Sequence, residues 1–376
     1  MIEDGTGRSD ETFMDRALEL ARDGWGQVSP NPLVGAVVVS GGRVIGEGFH
    51  VRYGSEHAEV VALRQAGEGT AGATLYVSLE PCDHHGKTPA CTEAIRRARI
   101  SRVVYGCRDP DGRAAGGGEV LRKAGLEVVG GVRSTAAARL NGPFIWDRLG
   151  LGPWVSLKLG LSLDGRIAAR PGTRTDLTGR ETEVYVHQLR AGHDAIMVGG
   201  RTAVIDDPLL TVRLVPSPRL SPTRVVLDPG LEISADSRLV ESVEEAPLVI
   251  FCAGDAPVER RRRIEKRGVE VASVGEEGAR LDLEAVLRDL DARGLRSIMV
   301  EGGGRLAASL LAGELVRRQY LIYAPIVLGP EGVPSIGAGV EAKSSDWSVV
   351  RRQGLGGDSL LELEDRLARE AFLEAA

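Results

Sequence analysis

One histidine, one glutamate and two cysteines pose the chemical question in this chain. His57 and Glu59 head the apolar-periodic stretch HAEVVALRQAG, and Cys82 and Cys91 follow in LEPCDHHGKTPAC with eight residues between them. An imidazole and two thiolates make a zinc site with three protein ligands, which leaves a tetrahedral position for water. Zinc brings the pKa of water from about 15.7 towards 7, and a carboxylate off the metal can carry the proton to departing ammonia. The order H-x-E…P-C…C is that of zinc deaminases acting on nucleobase rings, with a longer gap here between the cysteines. Each part alone has an ordinary explanation. His57-Ala58-Glu59 is a good helix start with an acid in its first turn, and a single cysteine is usually a small buried hydrophobe. Together, each at a strand-to-helix junction, they point to catalysis. His84 and His85 are near enough to compete for the metal, although thiolates suit zinc well. Cys107 and Cys252 read as core residues.

The elements that must position these groups follow from periodicity. DETFMDRALELARDG has helical spacing, with Asp10 available as N-cap. LVGAVVVS and RVIGEGFH are strands flanking the hairpin signal Gly41-Gly42. A helix from about His57, a strand ATLYVSLE, a helix PACTEAIRRA, a strand RVVYGC, another helix and LEVVGGV complete a three-layer α/β pattern. Thr88 and Pro89 suit N-cap and first helical position, which would put Cys91 in a first turn where the helix dipole favours thiolate. NGPFIWDRLGLGPW breaks the alternation without a clear period, so the domain boundary is expected near residues 145–152, giving domains 1–148 and 149–376. A second α/β series follows: strand WVSLKLGLS, helix ETEVYVHQLRAG, strands AIMVGG, TRVVLD and PLVIFCA, helix LDLEAVLRDLDARG, strand SIMVEGG, helix RLAASLLAG and strand-like YLIYAPIVLG.

Composition narrows the class. The 376-residue length favours two domains, and a net charge of −6 disfavours nucleic-acid or membrane-surface partners. Residues 1–15 are acidic and polar rather than a secretory signal, and no apolar run approaches the roughly 18 residues of a membrane span. Four cysteines in so long a chain make no disulfide framework. A cytoplasmic enzyme is expected.

At family level, NPLVG (31–35), HAE (57–59), LEPCDHHGKTPAC (79–91) and DPDG (109–112) resemble the deaminase half of the bifunctional riboflavin-biosynthesis deaminase/reductases. SLKLGLSLDGRIA (156–168), LTG (177–179), DDPLLTVR (206–213) and VEGGGRLAASLL (300–311) are similar to the reductase half, in the same order. The resemblance implies a cytidine-deaminase-like N-terminal domain and a dihydrofolate-reductase-like C-terminal domain. The first would deaminate 2,5-diamino-6-ribosylamino-4(3H)-pyrimidinone 5′-phosphate with Zn2+. The second would reduce the ribosyl chain to ribityl with NADPH. It also implies His57, Cys82 and Cys91 as zinc ligands, Glu59 as proton shuttle, and Asn31, His50, Lys87 and Asp109 as deaminase substrate contacts. In the reductase half, Arg174, Arg190, Leu210, Arg213 and Glu301 fall at substrate-side positions. Gly160, Asp176, Thr202, Asp206, Gly303, Gly304 and Arg305 fall at cofactor-side positions. Residue chemistry agrees: guanidinium suits phosphate, and exposed amides at a helix start can cradle pyrophosphate, although no G-x-G-x-x-G is present.

Three departures stand out. Relatives commonly show Ser-x-Trp-Ile-Thr where this chain has RTDLT, so Arg174 and Asp176 take the Ser and Trp positions and an aromatic wall is missing. Asp111 replaces the usual Asn after DP, and AAGGG lacks an arginine often found there. The zinc set shows no departure. Homo-oligomerisation is left open. Two rivals stand against this expectation: a deaminase of another nucleoside or nucleotide whose C-terminal domain has reduced or no reductase activity, and a zinc-stabilised binding protein. Glu59 speaks against the last, since a structural zinc site has no use for a carboxylate at an open coordination position.

Overall fold

Apolar residues at consecutive positions of GAVVVS, TLYVSL and RVVYGC make strands covered on both faces, which is what a sheet between two helix layers requires. The computed structural model describes residues 9–84, 89–277, 280–337 and 346–375. It divides into two units, residues 1–151 with 369–376, and residues 152–368. The second stretch of the first unit lies far outside the expected linear boundary; there the Arg108 N–H donates to the Ala375 carbonyl at 2.8 Å.

In the first unit, strands β1 (Gly35–Ser40), β2 (Arg43–Phe49), β3 (Thr74–Leu79), β4 (Arg102–Cys107) and β5 (Glu127–Gly130) form a sheet in the order β2-β1-β3-β4-β5. β1 is antiparallel to both neighbours, while β3, β4 and β5 are parallel. Gly41 and Gly42 both have positive φ, as a two-residue hairpin turn needs. Helices α1 (Asp10–Ala21), α2 (Ala58–Ala66), α3 (Cys91–Arg97), α4 (Gly117–Lys123), α5 (Ser134–Leu140) and α6 (Gly142–Arg148) belong to the same unit, as does the end of a C-terminal helix (Arg366–Glu374). Glycine lets α2 lie against β2: a Cβ on Gly48 would fall 2.6 Å from the Ala58 carbonyl oxygen, and one on Gly46 2.3 Å from that of Ala62. That close approach fixes the helix whose first turn carries Glu59.

Three local expectations are corrected. Ser9, not Asp10, occupies the N-cap of α1, and the Asp10 carboxylate instead accepts from Tyr76 and Arg102. Thr88 lies outside the described residues, and α3 begins at Cys91 with Ala90 as N-cap, so Pro89 precedes the helix. Residues 142–148, expected to be irregular, are helical, with Pro143 in the first turn, where its missing N–H costs nothing.

The second unit is built on β6 (Trp154–Leu161), β7 (Ala195–Gly199), β8 (Thr223–Leu227), β9 (Leu248–Cys252), β10 (Glu270–Ser273), β11 (Ser297–Glu301), β12 (Arg318–Tyr323), β13 (Ser348–Leu355) and β14 (Asp358–Glu364). Their order is β10-β9-β8-β7-β11-β6-β12-β14-β13. The run from β10 to β12 is parallel, and β14 and β13 add antiparallel pairs at the other edge. Helices α7 (Arg180–Ala191), α8 (Gly200–Asp206) and α9 (Gly304–Ala312) begin or end at the strand ends that form the pocket below. Among the described residues no helix is long and apolar enough to cross a membrane.

Candidate active sites

His57 sits at the N-cap of α2, Cys82 just beyond the end of β3, and Cys91 opens α3, so three junctions of one sheet bring the trio together. One ligand atom from each lies within 4.8 Å of the others. His57 Nδ1 is 3.2 Å from Cys91 Sγ and 3.5 Å from Cys82 Sγ. The donors compete for protons: the hydrogen bond with Cys91 pulls the Cys82 thiol down to about 4, the same bond and burial push Cys91 up, and Cys82 raises His57 to about 8. A dication held among them would relieve that competition by taking both sulfurs as thiolates. This donor set, two sulfurs and one imidazole with both cysteines buried, fits zinc. Glu59 is 3% exposed, and burial raises its pKa while His57 opposes the shift.

A cavity of about 440 Å³ opens over this group and is lined by Asn31, His50, His57, Glu59, Cys82 and Asp109 among others. His50 Nδ1 faces the Glu56 carbonyl at 3.1 Å, so that nitrogen carries the proton and Nε2 accepts from Asn31 Nδ2 at 3.1 Å. The Asn31 amide oxygen is thereby aimed as an acceptor, suited to a ring N–H or amino group. Burial keeps His50 neutral and pushes Asp109 up to about 6. Lys87 and His85 lie outside the described residues, and His84 lines the cavity without joining the trio. Cys107 and Cys252 are buried in the cores, as expected. Phe144 and Arg148 of α6 also line the cavity and escape a sequence reading that takes the segment as an aperiodic domain boundary.

The second unit holds a larger cavity, about 570 Å³, at the ends of β6, β7 and β11. Its lining contains Gly160, Arg174, Asp176, Arg190, Thr202, Asp206, Leu210, Glu301, Gly303, Gly304 and Arg305, all expected from the sequence. Arg213 is not in the lining; its guanidinium is exposed and donates to Thr211 Oγ1 at 2.5 Å. Arg190 Nε and Nη2 grip the Glu301 carboxylate at 2.5 and 3.0 Å. Burial opposes ionisation of Glu301, but the Arg190 charge prevails and holds it at about 2. Gly302 and Gly303 take φ of 66° and 80°, the turn that releases the chain from β11 into α9, and a Cβ on Gly303 would sit 3.1 Å from Thr202 Oγ1. That glycine turn, with the first amides of α9 at the cavity, fits a dinucleotide phosphate. Lys158 was missed. It faces Glu301 across the β6–β11 register, burial lowers its pKa, and its signal was a lysine inside the apolar run WVSLKLGL.

Residues 153–359 match the family described as RibD C-terminal domain, and residues 7–107 match the cytidine and deoxycytidylate deaminase zinc-binding region. The chain is 38% identical over 355 residues to the riboflavin biosynthesis protein RibD of Aquifex aeolicus (strain VF5), covering 94% of this chain and 97% of that one. It is 38% identical over 335 residues to that of Escherichia coli (strain K12), covering 86% and 89%. Among solved structures it is similar to RibD of Acinetobacter baumannii, form 1, with a TM-score of 0.80, 33% identity and coverage of 95% and 98%. It is also similar to a diaminohydroxyphosphoribosylaminopyrimidine deaminase/5-amino-6-(5-phosphoribosylamino)uracil reductase of Thermotoga maritima, with a TM-score of 0.79, 35% identity and the same coverage.

Proposed function

The chain belongs to the RibD family of bifunctional deaminase/reductases of riboflavin biosynthesis, and from that premise we propose how its residues divide the work. The unit of residues 1–151 and 369–376 deaminates 2,5-diamino-6-ribosylamino-4(3H)-pyrimidinone 5′-phosphate. The unit of residues 152–368 reduces the ribosyl chain of the product to ribityl with NADPH.

His57, Cys82 and Cys91 hold zinc, which when bound supplies the Lewis acidity that brings water ionisation into the neutral range. Glu59 takes a proton from water on its buried carboxylate and passes it to the pyrimidine ring nitrogen, then takes the proton of the added hydroxyl and delivers it to the amino group, which leaves as ammonia. Asn31, oriented by His50, reads the ring edge, and Asp109 accepts from the ring's polar substituents. For the phosphate the family pattern offers Lys87, which lies outside the described residues.

In the second unit, Gly303, Gly304 and Arg305 receive the NADPH phosphates, with Gly160, Thr202, Asp206 and Asp176 along the rest of the cofactor. NADPH supplies the hydride for the reduction. The Arg190–Glu301 pair orients the ribose end of the substrate, Arg190 towards phosphate and Glu301 towards sugar hydroxyls, against Leu210 and Arg174. Arg213 reaches that phosphate only by turning from Thr211. The four cysteines, all free, suit a reducing cytoplasmic setting.

The observation that carries this function is the convergence of one imidazole, two thiols and a buried carboxylate at one cavity. Purified protein is expected to contain zinc, to release ammonia from the diaminopyrimidine phosphate, and to oxidise NADPH only once that product has formed. Ammonia release without NADPH oxidation on authentic deaminated substrate would leave the deaminase alone standing.

A further inference from the structure

The segment from Asp206 to Arg213 brings Asp206 and Leu210 to the reductase cavity, and apart from Pro208 its own sequence does little to make it rigid. It has no regular secondary structure after α8, and two of its residues without glycine's freedom, Asp207 and Leu210, take φ of 40° and 54°. A branched side chain in the left-handed region persists only where surroundings hold it there. Here they do so from several sides. Asp207 Oδ1 accepts from the Arg238 N–H at 2.9 Å, and the Leu209 carbonyl accepts from Arg224 Nη1 at 3.3 Å. The Thr211 carbonyl accepts from Arg190 Nη1 at 3.1 Å, and the Arg213 N–H donates to His187 Nδ1 at 3.0 Å.

Among the described residues Arg224 has no carboxylate partner in an ion pair, and it is 0% exposed; its other bonds go to Ser242 Oγ and to the Ser242 and Ala246 carbonyls. His187 is buried one turn before Arg190 on α7, so one helix supplies both the residue that grips Glu301 and the residue that anchors the far end of the segment. We infer that His187 is a positioning residue of the reductase: as a neutral acceptor for the Arg213 amide it holds the 206–213 segment so that Leu210 closes the substrate side of the cavity. This deepens the reductase assignment and rests on it. Burial first, then Arg190 and Arg213, disfavour a proton on His187, with Glu301 and Glu183 opposing, which keeps the acceptor available at neutral pH.

The test compares His187→Ala, His187→Asn and His187→Gln in the full-length enzyme. Losing one backbone anchor is expected to raise the KM for the deaminated pyrimidine phosphate about tenfold, with kcat and the KM for NADPH changed less than about threefold. The better of the two amide variants, whose side-chain oxygen accepts the same N–H, recovers most of that loss. Ammonia release, read on the same polypeptide, stays at the wild-type rate, and the nearly unchanged kcat and KM for NADPH report that the reductase unit itself is intact. An unchanged KM in His187→Ala overturns the role, as does an equal loss in all three variants. A wild-type enzyme that fails to oxidise NADPH strikes the reductase assignment itself, a different result read before any variant is made.

Discussion

The two cavities are held in different ways. The metal trio and Glu59 stand at strand ends and helix starts of one sheet, positions set by packing such as that of Gly48 against α2. Around the reductase cavity, a buried ion pair joins α7 to β11, and a strained segment is pinned by side chains from α7 and β8. The first arrangement tolerates little change, because three donors must meet at one point. The second spreads recognition over many contacts, and the departures Arg174 and Asp176 fall there, whereas the single departure in the lining of the first, Asp111, lies away from the metal trio and Glu59.

The sharpest way to break this contrast is Glu59→Gln. Loss of a positioned acid–base group costs on the order of 10²–10⁴ in rate, so ammonia release should fall by at least about a hundredfold while zinc content and NADPH oxidation of authentic deaminated substrate persist. A chelator should copy that selectivity by removing zinc. If NADPH oxidation fell in parallel with ammonia release, the two cavities would not be the independent machines described. Glu301→Gln should do the reverse. It leaves Arg190 buried without its carboxylate, which costs about 3–5 kcal/mol, and reductase turnover should collapse with ammonia release intact. Urea denaturation of this variant should show a lowered midpoint for the second unit; an unshifted midpoint would make the pair solvent-compensated rather than buried.

How much of this could be read from the sequence follows the same contrast. The trio was legible because each ligand falls where a periodic run begins or ends, and three rare residue types in fixed order leave few alternatives. The strands were legible too, since runs such as LVIFC have no polar position. Less legible was anything set by distant partners. Asp10 looked like a cap, yet Arg102 and Tyr76 draw its carboxylate sideways. The helix 142–148 has too little period to announce itself, and it hid Phe144 and Arg148 at the cavity. Lys158 was passed over as one charge in a strand, and Arg213, expected on the substrate side, has an exposed guanidinium that lies outside the cavity lining and donates to Thr211.

His187 permits a finer comparison through pH. Burial and the neighbouring arginines hold it at about 4 against an ordinary 6.5. Between those values the unfolded chain binds a proton that the folded one refuses. The stabilisation is therefore complete above 6.5 and is lost as pH falls towards 4. The wild-type Tm should drop more steeply than that of His187→Asn across this window, by a few degrees given about 2–4 °C per kcal/mol. Parallel melting curves would mean that this histidine titrates as if in water.

The smallest expected effect is also the one most particular to this chain. Arg174 and Asp176 pair at 2.9 Å while 56% and 81% exposed, and an ion pair so open to solvent contributes about 0–1 kcal/mol. It therefore offers the cofactor little wall, where an indole would give a flat apolar face. Asp176 also places a like charge near Asp206, whose carboxyl burial already pushes up. Joint replacement, Arg174→Ser with Asp176→Trp, should lower the KM for NADPH about two- to fivefold, in keeping with the lower half of the about 0.5–1.5 kcal/mol of an aromatic contact at so exposed a position. kcat should hold nearly steady, since nothing here touches the hydride path. A raised KM would instead give Arg174 a charge-based role at the cavity mouth, with the phosphate of either ligand as its natural partner, and the reductase site would then be altered in its chemistry rather than weakened.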